Sequence, residues 1–303
     1  MNRRNLLKTV AAASLTPLPN LARSAGTDIL MKEIPGTGEY MPVIGMGTFK
    51  VFEIGDDMAL RDQHTEVMRT FFNMGGGMVD TSPMYTVAED VIGYALNKIG
   101  KPERLISSSK VWNRTSDNSR AQFDKSLQSW DLDIFDVFMV HNVDAWNVHH
   151  EAVKSYREGG EIRYLGISTS HGREAAKLEY LMKTQPLDFV QLTYNILDRE
   201  IEDRLLPLAQ ERGIAIIANR PFQGGELFKH TANQPLPAWS AEIDCSNWAQ
   251  ILLKYVISHP EVTCAIPGTS KIAHMIENMG ALTGVLPGTG MRATMRKHFD
   301  SLV

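Results

Sequence analysis

The sequence predicts an α/β fold, a closed (β/α)8 TIM barrel preceded by an N-terminal β-hairpin, and three observations carry that expectation. Eight short apolar runs alternate with helical patterns from residue 42 onward. The runs are apolar on both alternating sets of positions, as strands covered by helices on both faces are. Several helical stretches stop at glycine, and no linker long enough to divide the chain interrupts the rhythm.

In chain order, residues 29–42 (ILMKEIPGTGEYMP) read as a short hairpin turning at 36–38, expected to plug the barrel floor. The strand runs are 42–48 (PVIGMGT), 78–82 (MVDTS), 105–111 (LISSSKV), 135–142 (FDVFMVHN), 162–169 (IRYLGIST), 188–195 (DFVQLTYN), 214–222 (IAIIANRPF) and 262–269 (VTCAIPGT). Between them Val87, Val91, Ala95 and Ile99 recur every fourth residue, and Leu205, Leu208 and Ala209 mark a similar helical face. Glycines at 75–77, 159–160 and 213 suit left-handed caps. Eight such units favour closure over an open sheet. Residues 223–247 read as a long loop after the seventh strand, either a cover for a ligand or a plain surface excursion.

A chain of 303 residues could hold two average domains, but barrels commonly use ~250 residues as one, so 27–303 is taken as a single domain. With 43% hydrophobic and 22% charged residues it can fill a core. The net charge of −4 comes from intermingled signs with no basic run, which argues against a nucleic-acid groove or a polybasic membrane patch. Cys245 and Cys264 have neither redox nor ligand spacing, so no disulfide framework and no metal site is expected.

Residues 1–26 differ from the rest. Two arginines, a modestly apolar stretch through Ala11 and Ala13, then prolines and small residues follow the three-part plan of an export signal. The stretch is too short and too weakly apolar to anchor in a bilayer. RRNLLK resembles the twin-arginine signal, which implies use of the folded-state export machinery and a periplasmic or otherwise exported location. A basic, flexible start to a cytoplasmic protein is the alternative.

In a barrel the C-terminal ends of all strands share one rim, with neighbours ~4.8 Å apart. Asp80 ends the second strand, Tyr85 opens the following helix, Lys110 ends the third strand and His141 the fourth. A phenol with a pKa near ~10 is a weak acid, and an ammonium within hydrogen-bond reach would lower that value. A carboxylate beside the lysine opposes loss of its proton, and a histidine can orient a substrate oxygen toward the phenol. The set suits protonation of a developing alkoxide. Singly, Asp80 with Lys110 reads equally as a structural ion pair and His141 as a hydrogen-bonded rim histidine; the weight lies in the four arriving together.

These residues resemble the Asp, Tyr, Lys, His tetrad of the aldo-keto reductases. VDTSPMY, SSKVWN and DVFMVHN match the three strand motifs, GMGT matches the first strand, and the resemblance spans essentially everything after residue 26. It implies NADPH lying across the C-terminal rim, favoured over NADH, and reversible hydride transfer between nicotinamide and the carbonyl carbon of a small molecule. Tyr85 would be the general acid in reduction, Lys110 and Asp80 would tune it, and His141 would position the carbonyl.

The resemblance also implies a cofactor set. Gly47 and Thr48 belong to the first-strand motif. Ser168 and Gln191 stand at the nicotinamide amide, Thr169 stands where asparagine is usual, and Asn219 with Arg220 replaces a stacking tyrosine. In IPGTSKIAHMIEN, Glu277 and Asn278 match the adenine contacts, while Thr269, Ser270 and Lys271 open a helix whose free backbone donors suit a phosphate. Gly268 stands in place of a common lysine and His274 of an arginine, with Lys271 supplying the charge.

Phe49, Trp112, Asn142 and Trp146 are placed near the rim and would wall a pocket for an apolar or planar carbonyl, made more polar by Asn142 where relatives carry tryptophan. Met46, Met84 and Met139 read as core filling. Two other functions compete: a sensor of the same superfamily that holds the cofactor with little turnover, and a barrel lyase using Lys110 as a Schiff base. Export combined with the tetrad implies a mature protein that keeps its nucleotide.

Overall fold

The computed structural model describes residues 29–113 and 118–303, so the export signal expected at 1–26 lies outside the described residues. The chain first makes an antiparallel hairpin of β1 (Met31–Glu33) and β2 (Tyr40–Pro42), turning through Gly36 and Gly38, both at φ +73°. Ile34 and Met41 are buried with Met78, Met139, Phe189 and Cys264, so the hairpin seals the floor of the barrel as expected. The half-buried Lys32 side chain fastens it by donating to the carbonyls of His259 and Val262, both at 2.6 Å.

Eight parallel strands follow in sequential order: β3 (Met46–Gly47), β4 (Met78–Asp80), β5 (Ile106–Val111), β6 (Phe135–Val140), β7 (Ile162–Ser168), β8 (Phe189–Thr193), β9 (Ala215–Asn219) and β10 (Val262–Ala265). Each falls inside one of the eight apolar runs. The seam between the first and last strands closes through the Ile44 to Ala265 bridge, with Gly45 N–H donating to Ala265 O at 2.8 Å and Ala265 N–H to Val43 O at 2.9 Å. A Cβ at Gly47 would lie 2.7 Å from the Ile266 carbonyl, so glycine is what lets the seam draw shut.

The helices are α1 (Met58–Asn73), α2 (Ala88–Ile99), α3 (Ser119–Trp130), α4 (Trp146–Glu158), α5 (Ala175–Thr184), α6 (Leu205–Arg212), α7 (Leu227–Thr231), α8 (Trp248–Ile257), α9 (Ile272–Met279) and α10 (Thr289–Asp300). Asp57 caps α1 by accepting from the Ala59 and Leu60 amides, and Gly213 ends α6 in the left-handed conformation. On α2 the buried residues include Val91, Ile92, Ala95 and Leu96, the face that the four-residue rhythm marks.

Residues 223–247 differ from the plain loop expected. They coil into 3-10 turns at Gln223–Gly225 and Ala238–Ile243 on either side of α7. Leu227, Thr231 and Ile243 are buried and Phe222 packs on Phe228 at 4.8 Å, so the segment's apolar side chains join the main core and it need not stay extended. At the C-terminus Arg292 locks α10 to the barrel by donating to Tyr194 Oη at 2.7 Å and Glu202 Oε1 at 3.0 Å.

Candidate active site

Parallel register brings the ends of β4, β5 and β6 together, with Asp80 opposite Ser108 and Lys110 opposite Met139. The Lys110 ammonium donates to Asp80 Oδ1 and Oδ2, each at 2.8 Å, and to the Thr81 carbonyl at 2.7 Å. Ser108 adds a further donor to Asp80 Oδ1 at 2.8 Å. Lys110 is fully buried; burial pulls its pKa below the ordinary lysine value, and the paired Asp80 carboxylate opposes that fall.

Tyr85 sits in the turn between β4 and α2, its amide donating to Ser82 O at 2.9 Å. Its ring is buried, 5.9 Å from the Lys110 ammonium and edge-on to His141 at 5.8 Å. The three groups therefore meet as expected, but the expected acidification of the phenol is not what the geometry gives. Three acceptors already match the three N–H donors of Lys110, and Tyr85 Oη has no hydrogen-bond partner among the described residues. Burial, then the Asp80 and Glu53 carboxylates, push the phenol above the ordinary tyrosine value.

His141 continues the β6 ladder by one bond, its amide donating to Val111 O at 2.9 Å, and its ring Nδ1 lies 2.7 Å from Ser82 Oγ. Burial first and the Lys110 charge second hold its pKa well below 6.5, so the ring is neutral at pH 7. Sequence reasoning missed Ser82, Thr81 and Ser108. The inward alternation of Ser108 with Lys110 along β5 was a usable signal for the last of these.

Of the residues expected at the nicotinamide, Ser168 and Gln191 are buried and stand opposite one another in register on adjacent strands. The Ser168 hydroxyl oxygen accepts from the Asn142 amide at 3.3 Å, and Gln191 Nε2 is buried with no partner among the described residues. Thr169 instead donates its hydroxyl to Arg173 O at 2.8 Å. Asn219 donates to Thr169 O and accepts from the Thr193 hydroxyl, both at 2.8 Å, which ties its side chain to the rims of β7 and β8. Arg220 follows in the left-handed conformation at φ 52°, partly exposed.

At the other end of the rim, Thr48 is buried with its hydroxyl 2.9 Å from Asp80 O and 2.8 Å from Thr81 Oγ1. Gly268 approaches Gly47 so closely that a Cβ would lie 2.9 Å from the Gly47 carbonyl, which gives glycine a packing reason there. Thr269 Oγ1 accepts from the Lys271 amide at 3.1 Å, and Ser270 O accepts from Gln63 Nε2 at 2.9 Å. Lys271, His274 and Glu277 are exposed at three-residue spacing, while Asn278 is buried.

Around the mouth, Phe49 is 46% exposed and packs on Tyr85 at 5.0 Å, and Trp112 is 40% exposed with its backbone held on both sides by Gln122. Asn142 has φ 65° and ψ 136°, a conformation usual only for glycine. Trp146 departs from the expected pocket wall. It is 3% exposed and stacks on His150 at 5.3 Å, because the first turn of α4 turns its indole into the core.

A family model described as the aldo/keto reductase family matches residues 43–294. The chain belongs to the aldo/keto reductase family. Methylglyoxal reductase YeaE of Escherichia coli (strain K12) is 28% identical over 247 residues, 80% of this chain and 86% of that protein. Glyoxal reductase of Bacillus subtilis (strain 168) is 28% identical over 246 residues, 80% and 83% of the two chains. An aldo-keto reductase from Klebsiella pneumoniae crystallised in complex with NADPH superposes with a TM-score of 0.72 and 26% identity, covering 88% of this chain and 93% of that one. As an aldo/keto reductase this chain carries the family's barrel with its floor hairpin, and its polar cluster lies at the rim formed by the C-terminal strand ends.

Proposed function

We propose that this aldo/keto reductase reduces a small aldehyde or ketone to the alcohol with NADPH, reversibly, and that Tyr85 delivers the proton. The observation that carries this reading is the Tyr85 hydroxyl, which has no partner among the described residues and is borne on a ring set edge-on to that of a neutral His141. Relatives named for reduction of methylglyoxal and glyoxal, and the NADPH complex of the Klebsiella protein, support it.

The residues present fit the cofactor. Gln191 Nε2 is a buried donor waiting for an acceptor such as a carboxamide oxygen, and Lys271 with His274 offers positive and hydrogen-bonding groups at the start of α9 for a phosphate. When bound, NADPH supplies the hydride to the carbonyl carbon. His141 holds the carbonyl oxygen, and Tyr85 gives its proton to that oxygen as negative charge develops. Lys110, fixed by Asp80, supplies the positive field that stabilises the phenolate left behind; the raised pKa of the resting phenol keeps the acid loaded until then.

The Schiff-base alternative is disfavoured, because Lys110 is fully buried with its donors engaged. The sensor reading predicts tight NADPH binding without turnover. Tyr85→Phe is the deciding variant: NADPH oxidation by a 2-oxoaldehyde should fall 100-fold or more while NADPH binding is retained. Equal turnover in wild type and variant would sink the reading.

For location, RRNLLK supports export after folding with the nucleotide aboard. Fractionation of the producing cell with assay of bound nucleotide tests this, and a nucleotide-free cytoplasmic protein would reject it.

A further inference from the structure

We propose that Ser82 is a positioning residue that fixes the His141 ring in its Nε2–H tautomer, so that His141 faces the substrate oxygen as a donor. The inference rests on the carbonyl-reduction reading for its kinetic consequence, but the tautomer itself follows from hydrogen-bond geometry alone.

Ser82 lies in the turn between β4 and α2 and is 1% exposed. Its Oγ is 2.7 Å from His141 Nδ1 and receives the Met84 amide proton at 3.2 Å. A hydroxyl has one proton to give and lone pairs to accept with. With the Met84 amide as donor, the only remaining partner of that hydroxyl among the described residues is Nδ1, so the Ser82 proton points to Nδ1. A ring that accepts at Nδ1 while neutral carries its own proton at Nε2.

The opposite tautomer would direct Nδ1–H at Ser82 Oγ, which already receives the Met84 proton, and would leave the serine proton buried without an acceptor. Nothing among the described residues competes for the far nitrogen, since Nε2 makes no hydrogen bond there. The ring stands edge-on to Tyr85 with centroids 5.8 Å apart, which makes the Nε2–H and the Tyr85 hydroxyl the two donors available to one substrate oxygen in this reading. Two donors suit a carbonyl oxygen gaining charge; a histidine acceptor there would repel it.

The signal is a contact between residues 59 positions apart, made possible because the β4 turn folds back across the end of β6. The same turn carries Thr81, whose carbonyl anchors Lys110, and Tyr85 itself. One short segment thus sets the donor state of three groups.

The test uses the full chain labelled with [15N]histidine, with ring nitrogens correlated to ring protons at pH 8. The His141 signals are assigned by their loss in His141→Gln. Wild type should show the Nε2–H pattern alone. Ser82→Ala should give a mixture with the Nδ1–H form and a fall of about ten-fold in kcat with KM changed less than three-fold, because the lost bond strengthens as the oxygen gains charge. Ser82→Thr, which keeps the hydroxyl, should restore both the pattern and most of kcat. An Nδ1–H pattern in wild type overturns the proposal, and so does an unaltered ring in a folded Ser82→Ala. The wild-type spectrum needs no variant to fold and no turnover. A loss of the reductase reading through Tyr85→Phe is therefore distinguishable from a failure here.

Discussion

The Lys110 ammonium sits 2.8 Å from each carboxylate oxygen of Asp80, and the two side chains are 0% and 4% exposed. A pair shut away like this costs much to break on one side and little to remove whole. Asp80→Asn and Lys110→Met should each lower unfolding free energy by about 3–5 kcal/mol. The double variant should lose clearly less than the sum, with a coupling of about 2 kcal/mol or more in urea denaturation. Simple additivity would mean that the two groups act independently.

Carbonyl reduction should be insensitive to pH between about 6 and 9. Tyr85 is pushed above the ordinary tyrosine value by burial, so it stays protonated across this range, and His141 is held well below 6.5 by burial and Lys110, so it stays neutral. Profiles of kcat/KM at saturating NADPH check this, and a limb near 6.5 would show His141 titrating.

Stability, in contrast, should fall on the acid side through His259. Burial, and then the neighbouring Arg292 charge, lower this ring from the ordinary 6.5 to about 4. Between those values the unfolded chain binds the extra proton, so stability rises with pH through the window and is lost as pH drops from 6.5 toward 4. For a partly exposed ring the loss is about 2 kcal/mol after solvent screening. His259→Gln should flatten this part of the stability curve, measured by thermal melts at pH 4.5 and 7.

Asn142 should be a site where glycine is the more stable residue. Its φ of 65° with ψ of 136° is costly for any residue with a Cβ. Asn142→Gly should raise stability by about 1 kcal/mol and Asn142→Val should lower it by at least as much. Equal melting temperatures for the two would show that the backbone there relaxes without cost.

The barrel was legible because the apolar runs carry polar residues at or near their C-terminal ends, so Asp80, Lys110 and His141 announced themselves as strand ends before any distance was known. Hydrogen-bond allocation was not legible. Lys110 reads as a partner for Tyr85 until its three acceptors are seen, and Asn219 reads as a poor substitute for a stacking ring until Thr169 and Thr193 prove to hold it. Trp146 was misplaced because position near a rim residue does not tell which way the first turn of a helix faces. Residues 223–247 coil because of contacts such as Phe222 with Phe228, a pairing with no periodic signature.

The floor hairpin fixes where the chain enters the molecule. Leu30 is bonded through its backbone to Leu282 and Val43, on the side sealed by Ile34 and Met41, while Tyr85 and His141 open on the other. A leader, tag or surface tether joined ahead of Ile29 is thus attached at the far end of the cylinder from the chemistry. Immobilising the enzyme through a tether joined directly ahead of Ile29 should leave the end that holds Tyr85 and His141 unobstructed.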